Sequence, residues 1–373
     1  MPGVAMPGST PPAPLRRSQR PLWLGQPGRM TGLSPMVARG ILALLILLIA
    51  IGYATQGAFE PVGERLPPVT TTILDHVRHG QSFYPAALDA LRENDRALRP
   101  ALFAVPLPAL FVTLAALPTL VWHGGLLLLG IAMIAGWLRR VVPVLETRSA
   151  IGLLAILLIA GFYPLPSRPM VTAPESWAAM LISLSLVQRR PEAGLSAVAL
   201  GLVAMILTPM ALPYAIVMLV LAAQAGARRE AIGWMTALAV ALLVLAAHAH
   251  ALNTLVSAVD PAMGSPVHVI APGTLIAAVA DAQAIGFLPT SVVVPLAVLA
   301  ALGWVHWRAP AARRAGVTMA VYALLTLVTG SPVLVLGLSP LFFLGVVFAP
   351  DAVRELILAA RDRRRITVTR VVR

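Results

Sequence analysis

The chain has 373 residues, of which 58% are hydrophobic and only 12% are charged, and its mean hydropathy is +0.85. Soluble domains carry about 25% charged residues, so this composition excludes an ordinary soluble domain and indicates an integral membrane protein. The net charge of +13 comes from arginines clustered between apolar runs, which is typical of the cytoplasmic loops of membrane proteins and argues against nucleic-acid binding.

The first 38 residues are rich in proline, glycine, serine and arginine, and they are predicted to form a disordered cytoplasmic tail. The apolar run Ile41–Ala54 follows this tail. It begins too late for a cleavable signal peptide, so it is predicted to be an uncleaved first span. Because arginine-rich segments stay inside, we expect the chain to leave this span on the outer side of a bacterial inner membrane.

The longest polar interval, residues 57–100, is then the first outer loop. Two helices are predicted in it, Thr71–His79 and Pro85–Leu98, the second with proline in its first turn. The leucines of the second helix predict an apolar side that rests on the membrane interface. The loop also holds six of the fifteen acidic residues of the chain: Glu60, Glu64, Asp75, Asp89, Glu93 and Asp95.

Ten further apolar segments follow, at about residues 101–121, 123–138, 149–164, 175–187, 195–208, 210–224, 231–251, 288–306, 315–329 and 332–349. Eleven crossings in total would leave the basic C-terminal tail, residues 351–373, on the outer side. Prolines interrupt the helical hydrogen bonds in residues 101–138, so one piece of that region is predicted not to cross. The prediction is an all-α polytopic membrane domain, residues 39–350, with about ten spans (nine to eleven), a second outer loop at 248–287, and both termini in the cytoplasm.

The stretch Leu74–Pro85, LDHVRHGQSFYP, carries the strongest chemical signal. On a helix, Asp75 and His79 are four residues apart and share a face. A carboxylate beside an imidazole can act as a general base or hold a divalent metal such as Mg²⁺ or Mn²⁺. Arg78 or Arg99 could bind a phosphate oxygen. The alternative is that these charges only solvate the outer side of the loop.

Other polar residues give weaker signals. His248, His250 and His268 could suggest a metal site, but histidines two apart lie on different helix faces and no acid stands at ligand spacing, so an interfacial position is favoured. The absence of cysteine excludes disulfides and thiolate metal sites. The acids lie in loops or at segment ends, which argues against an ion-coupled transporter, and no glycine-rich phosphate loop is present.

Six stretches between about residues 70 and 358 carry a resemblance to a known group of membrane proteins. In chain order they are VRHGQSFYPAALDALRENDRALRP, VPLPAL, ALPYAIVM, RREAIGW, LAAHAHAL and SPLFFLGVVFAPDAVREL. Together with the order of the loops, they resemble the GT-C membrane glycosyltransferases, and more closely a group of uncharacterised bacterial GT-C-like membrane proteins. The resemblance implies a helical first outer loop and transfer of a sugar from a polyprenyl-phosphate donor to a glycan, lipid or protein acceptor on the outer side.

The same resemblance implies a catalytic acid in the first outer loop. Asp75 is the candidate, with Glu60 and Glu64 in reserve, although the acid of the relatives lies nearer Leu66. The substrate-binding residues that we predict are Arg78, His79, Tyr84, Arg99 and His250.

The chain departs from these relatives at several polar positions. Thr208-Pro209 stands where they have Arg-Glu, Pro106 replaces an arginine, and Gly330–Gly337 replaces a Gly-Arg-Pro-Asp-Asn stretch. These changes leave open the alternative of a catalytically degenerate partner or scaffold in a polysaccharide assembly complex. Transport of a lipid or small solute is a third alternative, with little support from the sequence.

Overall fold

The computed structural model describes residues 21–57, 67–188, 194–262 and 267–361. The structure is 75% helical, and the described residues contain no strands. This confirms the all-α prediction. Residues 1–20, the reserve acids Glu60 and Glu64, and residues 362–373 of the C-terminal tail lie outside the described residues.

Seventeen α-helices are described, and we number them in chain order. They are α1 (Pro35–Ala54), α2 (Pro67–Arg78), α3 (Phe83–Glu93), α4 (Ala101–Ala104), α5 (Pro108–Ala115), α6 (Thr119–Val141), α7 (Arg148–Phe162), α8 (Arg168–Val171), α9 (Pro174–Gln188), α10 (Gly194–Leu207), α11 (Leu212–Gln224), α12 (Arg228–Asn253), α13 (Pro272–Asp281), α14 (Thr290–His306), α15 (Pro310–Thr329), α16 (Pro332–Leu338) and α17 (Ala349–Ala360). Three 3₁₀ segments, Val142–Val144, Pro209–Ala211 and Phe342–Phe348, join some of them.

Five helical runs are long and apolar enough to cross a membrane: Pro35–Ala54, Thr119–Val144, Arg228–Asn253, Pro310–Thr329 and Val333–Ala360. Four shorter apolar helices accompany them: Arg148–Phe162, Leu195–Leu207, Pro209–Gln224 and Thr290–His306. These helices agree with a membrane protein, whereas the number of crossings stays a prediction. In residues 101–138, α4 and α5 are too short to cross and only α6 is long, as the proline pattern predicts.

Helix boundaries follow local signals in the sequence. The hydroxyl of Ser34 accepts the backbone N–H of Val37, and Pro35 occupies the first turn of α1. At the other end of the bundle, α15 stops at Gly330, whose φ of 61° belongs to the left-handed region that favours glycine.

Helix α9 lies at the centre of the bundle. Twelve of its fifteen residues are buried, so every side of the helix packs against other parts of the protein. A helix that is apolar and buried all round packs within other helices rather than against lipid or water. In contrast, α1 and α12 expose long apolar side chains on one side, among them Ile46 and Leu243.

The predicted first outer loop contains a helical cap, formed by α2 and α3 packed on each other and on α5. Ile73 and Leu74 of α2 and Leu88 and Leu91 of α3 are buried in this contact. Both helices begin and end earlier than predicted, since α2 starts at Pro67 and α3 ends at Glu93, with Asn94 as its C-cap. In the second outer loop, α12 continues to Asn253, so His248 and His250 are helical rather than part of the loop.

The structure also moves both predicted tail boundaries. The segment of residues 22–29, which we call the strap, packs against α17, and Leu24 is buried. The carboxylate of Asp351 accepts the backbone N–H groups of Leu22, Trp23 (3.0 Å) and Leu24 (2.9 Å), and Glu355 accepts that of Gly28 (2.8 Å). The ordered part therefore begins before residue 38, and it extends past residue 351 to the end of α17.

Candidate functional site

Asp75 and His79 lie on the exposed side of the cap, at the C-terminal end of α2. The carboxylate of Asp75 makes no hydrogen bond or ion pair with any residue that the structure describes, and it is open to solvent. His79 Nδ1 lies 2.7 Å from the backbone carbonyl oxygen of Asp75, so the imidazole donates its proton there. This contact fixes the ring one turn beyond the acid and leaves the carboxylate available to an external group.

Arg78 is engaged by the protein itself. Its guanidinium lies 4.2 Å from the centre of the Trp122 ring, at the start of α6. One Nη donates to the carbonyl oxygen of Leu117 at 3.0 Å, and Trp122 Nε1 donates to the same oxygen. A cation held over an aromatic face in this way fastens the cap to the bundle. The side chain can turn to a phosphate only by giving up these contacts.

Tyr84 contacts His248, on α12, rather than His250. The Tyr84 hydroxyl lies 3.3 Å from His248 Nδ1, and His248 Nε2 lies 3.2 Å from the carbonyl oxygen of Val105. A carbonyl can only accept, so Nε2 carries the proton of a neutral imidazole and Nδ1 accepts from the tyrosine. Burial raises the pKa of Tyr84, which therefore keeps its proton and acts as the donor.

His250 is not brought to the other predicted residues. It is exposed on the side of α12 that also carries Leu243, whereas His248 is buried. Two residues along a helix are about 200° apart, so the two imidazoles point in nearly opposite directions. In the described residues, no hydrogen bond, ion pair or ring contact links His250 to another side chain.

Arg99 and Asp260 connect the two outer loops. Arg99 Nε donates to the backbone carbonyl oxygen of Asp260 at 2.8 Å, and the backbone N–H groups of Leu98 and Arg99 both donate to the carbonyl oxygen of Pro261. The Asp260 carboxylate accepts the backbone N–H of Ser257 at 2.8 Å and pairs with Arg92 at 3.3 Å. These donors, the Ser257 N–H first, lower the pKa of Asp260 and keep it ionised.

An open groove of about 440 Å³ lies beside this contact, at the C-terminal end of α12. Polar and apolar side chains both line it, and the lining residues are Arg99, Pro100, Leu102, Ala249, Leu252, Asn253, Val256, Ser257 and Ala258. The Nε of Arg99 is already bound, while its two Nη groups remain as donors beside the groove. Such a groove suits a ligand with an anionic head and an apolar tail.

The predicted residues thus fall into four groups: Asp75 and Arg78 on α2 with His79 just after it, Tyr84 against α12, Arg99 at the groove, and His250 alone on the exposed side of α12. No hydrogen bond, ion pair or ring contact links one group to another in the described part of the chain. Likewise, no cluster of three or more His, Asp or Glu side chains able to hold a metal is found there. Asp75 and His79 alone would offer a divalent cation an incomplete ligand set.

Sequence reasoning missed His248 and Asp260. The aromatic–imidazole pairing of Tyr84 with His248 joins residues 164 apart in sequence, and the Arg92–Asp260 ion pair joins residues 168 apart. Ala241 and His248, seven residues apart, are buried on one side of α12, and this side became known only from the packing of the helix.

The chain was also compared with known proteins. No family model, no curated protein and no solved structure matches it.

Proposed function

We propose that the protein is a polytopic membrane protein of the bacterial inner membrane with GT-C-like glycosyltransferase activity. In this proposal it transfers a sugar from a polyprenyl-phosphate donor to a glycan, lipid or protein acceptor on the outer side. The observation that carries the proposal is the carboxylate of Asp75, which is exposed and unpaired among the described residues, on a helical cap that packs on α5. A free carboxylate on a fixed element is what a general base requires.

The helix order is compatible with ten crossings and with both termini in the cytoplasm. The crossings would be α1, α6, α7, α9, α10, α11, α12, α14, α15 and the run from α16 to α17. Arginines at the C-terminal end of α6 and at the starts of α7, α12 and α15 then share the inner side, as the positive-inside rule requires. The cap and the groove share the outer side.

In the proposed reaction, Asp75 accepts the proton of the acceptor hydroxyl as that oxygen attacks the anomeric carbon of the donor sugar. The bond from that carbon to the donor phosphate breaks, and the phosphate leaves with the electron pair. Arg78, the arginine nearest to Asp75 along α2, would bind this leaving phosphate after giving up its contacts with Trp122 and Leu117. A divalent cation would enter only with ligands from the substrate, because Asp75 and His79 do not form a complete site.

The test replaces Asp75 by Asn in protein reconstituted in liposomes, with sugar-labelled polyprenyl-phosphate hexose and pentose as donors. Loss of the base should lower the transfer rate by about 100-fold or more without changing the amount of folded protein. Asp95→Asn is a matched control, since Asp95 is also exposed and its φ of 51° suits asparagine. Equal transfer by the Asp75→Asn variant and the wild type would remove Asp75 from the site.

A second candidate function is that of a non-catalytic partner in a polysaccharide assembly complex. The observation in its favour is that Arg78 and Arg99 are already held by Trp122 and Asp260 within the protein. No turnover with any labelled donor, with or without Mg²⁺ or Mn²⁺, together with co-purification with an active transferase, would support this candidate over the enzyme.

A further inference from the structure

Several acids of the described chain are buried or nearly so, and most of them have a cation or backbone N–H groups as partners, although Oε2 of Glu355 lacks a hydrogen bond. Glu230 forms two hydrogen bonds with Arg314, at 2.6 and 3.2 Å. Asp351 accepts three backbone N–H groups of the strap, and Glu355 accepts one and lies 3.7 Å from His306. Asp260, in the outer loop, has Ser257 and Arg92. A buried carboxylate is stable as an anion only with such partners.

Glu175, in the first turn of α9, differs from them, because no cation or histidine lies beside its carboxylate among the described side chains. Its Oε1 accepts a hydrogen bond from the Thr208 hydroxyl at 3.3 Å, and its own backbone N–H is the other donor to the carboxylate. Its Oε2 is inaccessible to solvent and has no hydrogen-bond partner among the described residues. The residue as a whole is partly exposed, and the exposed part does not include Oε2.

The elements around α9 supply little charge to this position. Helix α9 packs against α6, α8, α10, α15, α16 and the Pro209–Ala211 segment. Their titratable groups at this end of the bundle are His123, which is exposed on α6, and Tyr322, whose hydroxyl donates to the carbonyl oxygen of Met210. Helices α10 and α16 and the Pro209–Ala211 segment contain no charged residue. The side chain of Arg168, on α8, lies outside those that the structure describes.

We propose that Glu175 is a proton-binding site at the outer end of the bundle. Its carboxyl group holds a proton in the folded protein, accepts the Thr208 hydroxyl at Oε1, and releases the proton only when Oε2 gains contact with water. A proton suits this site because it removes a negative charge that no described cation beside the carboxylate offsets. A metal cation would need more oxygen ligands than a carboxylate and one hydroxyl provide. The site is independent of the glycosyl transfer proposed above, and it supplies a buried acid of the kind that ion-coupled transport requires.

The direct test is infrared spectroscopy of the purified protein in lipid at pH 7. A protonated carboxylic acid has a carbonyl stretching band that is absent from an ionised carboxylate. We expect this band in the wild type and its loss in Glu175→Gln, with Glu93→Gln as a control because Glu93 is an exposed acid. Thr208→Val should shift the band without abolishing it, since only one hydrogen bond is lost. Absence of the band from the wild type would overturn the proposal.

A second measurement uses thermal unfolding between pH 5 and pH 8. If folded Glu175 keeps its proton while the unfolded residue loses it near pH 4.3, an approximate model-peptide value, wild-type stability falls as pH rises above that point. Glu175→Gln is neutral at every pH, so its Tm should rise relative to the wild type as the pH increases. A lower Tm of Glu175→Gln at all pH values would indicate an ionised carboxylate paired with Arg168. A wild-type Tm that rises with NaCl but not with choline chloride would indicate a cation site. Either result would contradict a proton site.

Discussion

Asp260 is the residue on which the contact between the two outer loops depends. Its carboxylate binds Ser257 N–H and Arg92, and its carbonyl oxygen binds Arg99. Because the pKa of Asp260 is lowered in the folded protein, its stabilisation is present above the ordinary value of about 4 and is lost as the pH falls through the folded value. The groove beside Arg99 is therefore held in shape by a group that stays charged at neutral pH.

We predict that Asp260→Asn loosens this contact. The amides of Leu98 and Arg99, which donate to Pro261, should lose protection from hydrogen exchange, because the loop that presents this carbonyl loses its charged anchor. Hydrogen-exchange mass spectrometry at pH 7 measures the change, and wild-type protection should fall in the same peptides below about pH 4. Asp89→Asn removes another carboxylate near Arg92 and serves as the control. Unchanged protection in Asp260→Asn would contradict the prediction.

Between elements, the closest approach is that of α14 to the Phe342–Phe348 segment. A Cβ on Gly303 would lie 1.8 Å from the backbone carbonyl oxygen of Gly345, and a Cβ on Gly345 would lie 2.1 Å from that of Ala300. The two backbones touch, so neither side can yield by rotating a side chain. The aromatic side chains of Trp304 and Phe348 pack beside this contact.

Gly303→Ala should therefore destabilise the protein by about 1–3 kcal/mol, the usual cost of overpacking a tight core. Gly316→Ala is the matched control, since it is also inside a helix but meets no atom within 4 Å. The control should be neutral or more stable by up to about 1 kcal/mol, because alanine favours the helix. Unfolding in mixed detergent micelles gives both values, and equal effects would show that the contact is looser than described.

The strap and α17 form a second contact between elements, held by hydrogen bonds to a buried charge. Asp351 is fully buried and accepts three backbone N–H groups of the strap. A side chain amide cannot replace it well, because its NH₂ group would face those donors.

We predict opposite effects of Asp351→Asn in two backgrounds. In the full chain it should destabilise by about 3 kcal/mol, since hydrogen bonds to charged groups contribute about 1.5–3 kcal/mol each. After removal of residues 1–29, the carboxylate has lost its donors, and the same substitution should be neutral or stabilising. The measurement is the free energy of unfolding of four proteins, the full and the shortened chain, each with and without Asp351→Asn. Together they form a double-mutant cycle. An equally large loss in both backgrounds would mean that Asp351 acts independently of the strap.

At the scale of the whole molecule, the number of crossings depends on three short helices. Helices α9, α10 and α11 have 13–15 residues, and each covers only about 20 Å of a hydrocarbon core of about 30 Å. If all three cross, the membrane must be thinner around them or their ends must be covered by neighbouring helices.

Single-cysteine variants can determine the topology, because the chain contains no cysteine of its own. With ten crossings, an impermeant maleimide added to intact spheroplasts should label Ser82→Cys and Val259→Cys. It should label Ser149→Cys and Arg229→Cys only after lysis, and all four positions are exposed in the structure. Labelling of Arg229→Cys without lysis would mean that one or three of the proposed crossings before α12 do not exist.

The sequence predicted the features that depend on neighbouring residues, such as helices and their breaks. It did not predict the contacts between residues that are far apart in the chain. Apolar periodicity and Pro106, Pro108 and Pro118 located the long helices and the broken region before α6. The chemistry of the predicted site depended on which side of each helix faces the bundle. His248 and His250 carry the same side chain, and only tertiary packing distinguishes them. Glu175 was placed correctly at a segment end, but its burial arises from Thr208 and its neighbours, 33 residues away in sequence.

The strap has a consequence for biosynthesis. Its partners Asp351 and Glu355 follow it by 327 to 329 residues, so almost the whole chain must be inserted before the strap can bind. Until then the N-terminal flank of α1 is unattached. A nascent chain that stalls before α17 therefore leaves the Trp23–Gly28 segment free, whereas a finished one buries Leu24 and Gly28 and holds Trp23 by a hydrogen bond. Completion of the last helix and attachment of the segment before the first thus become a single event.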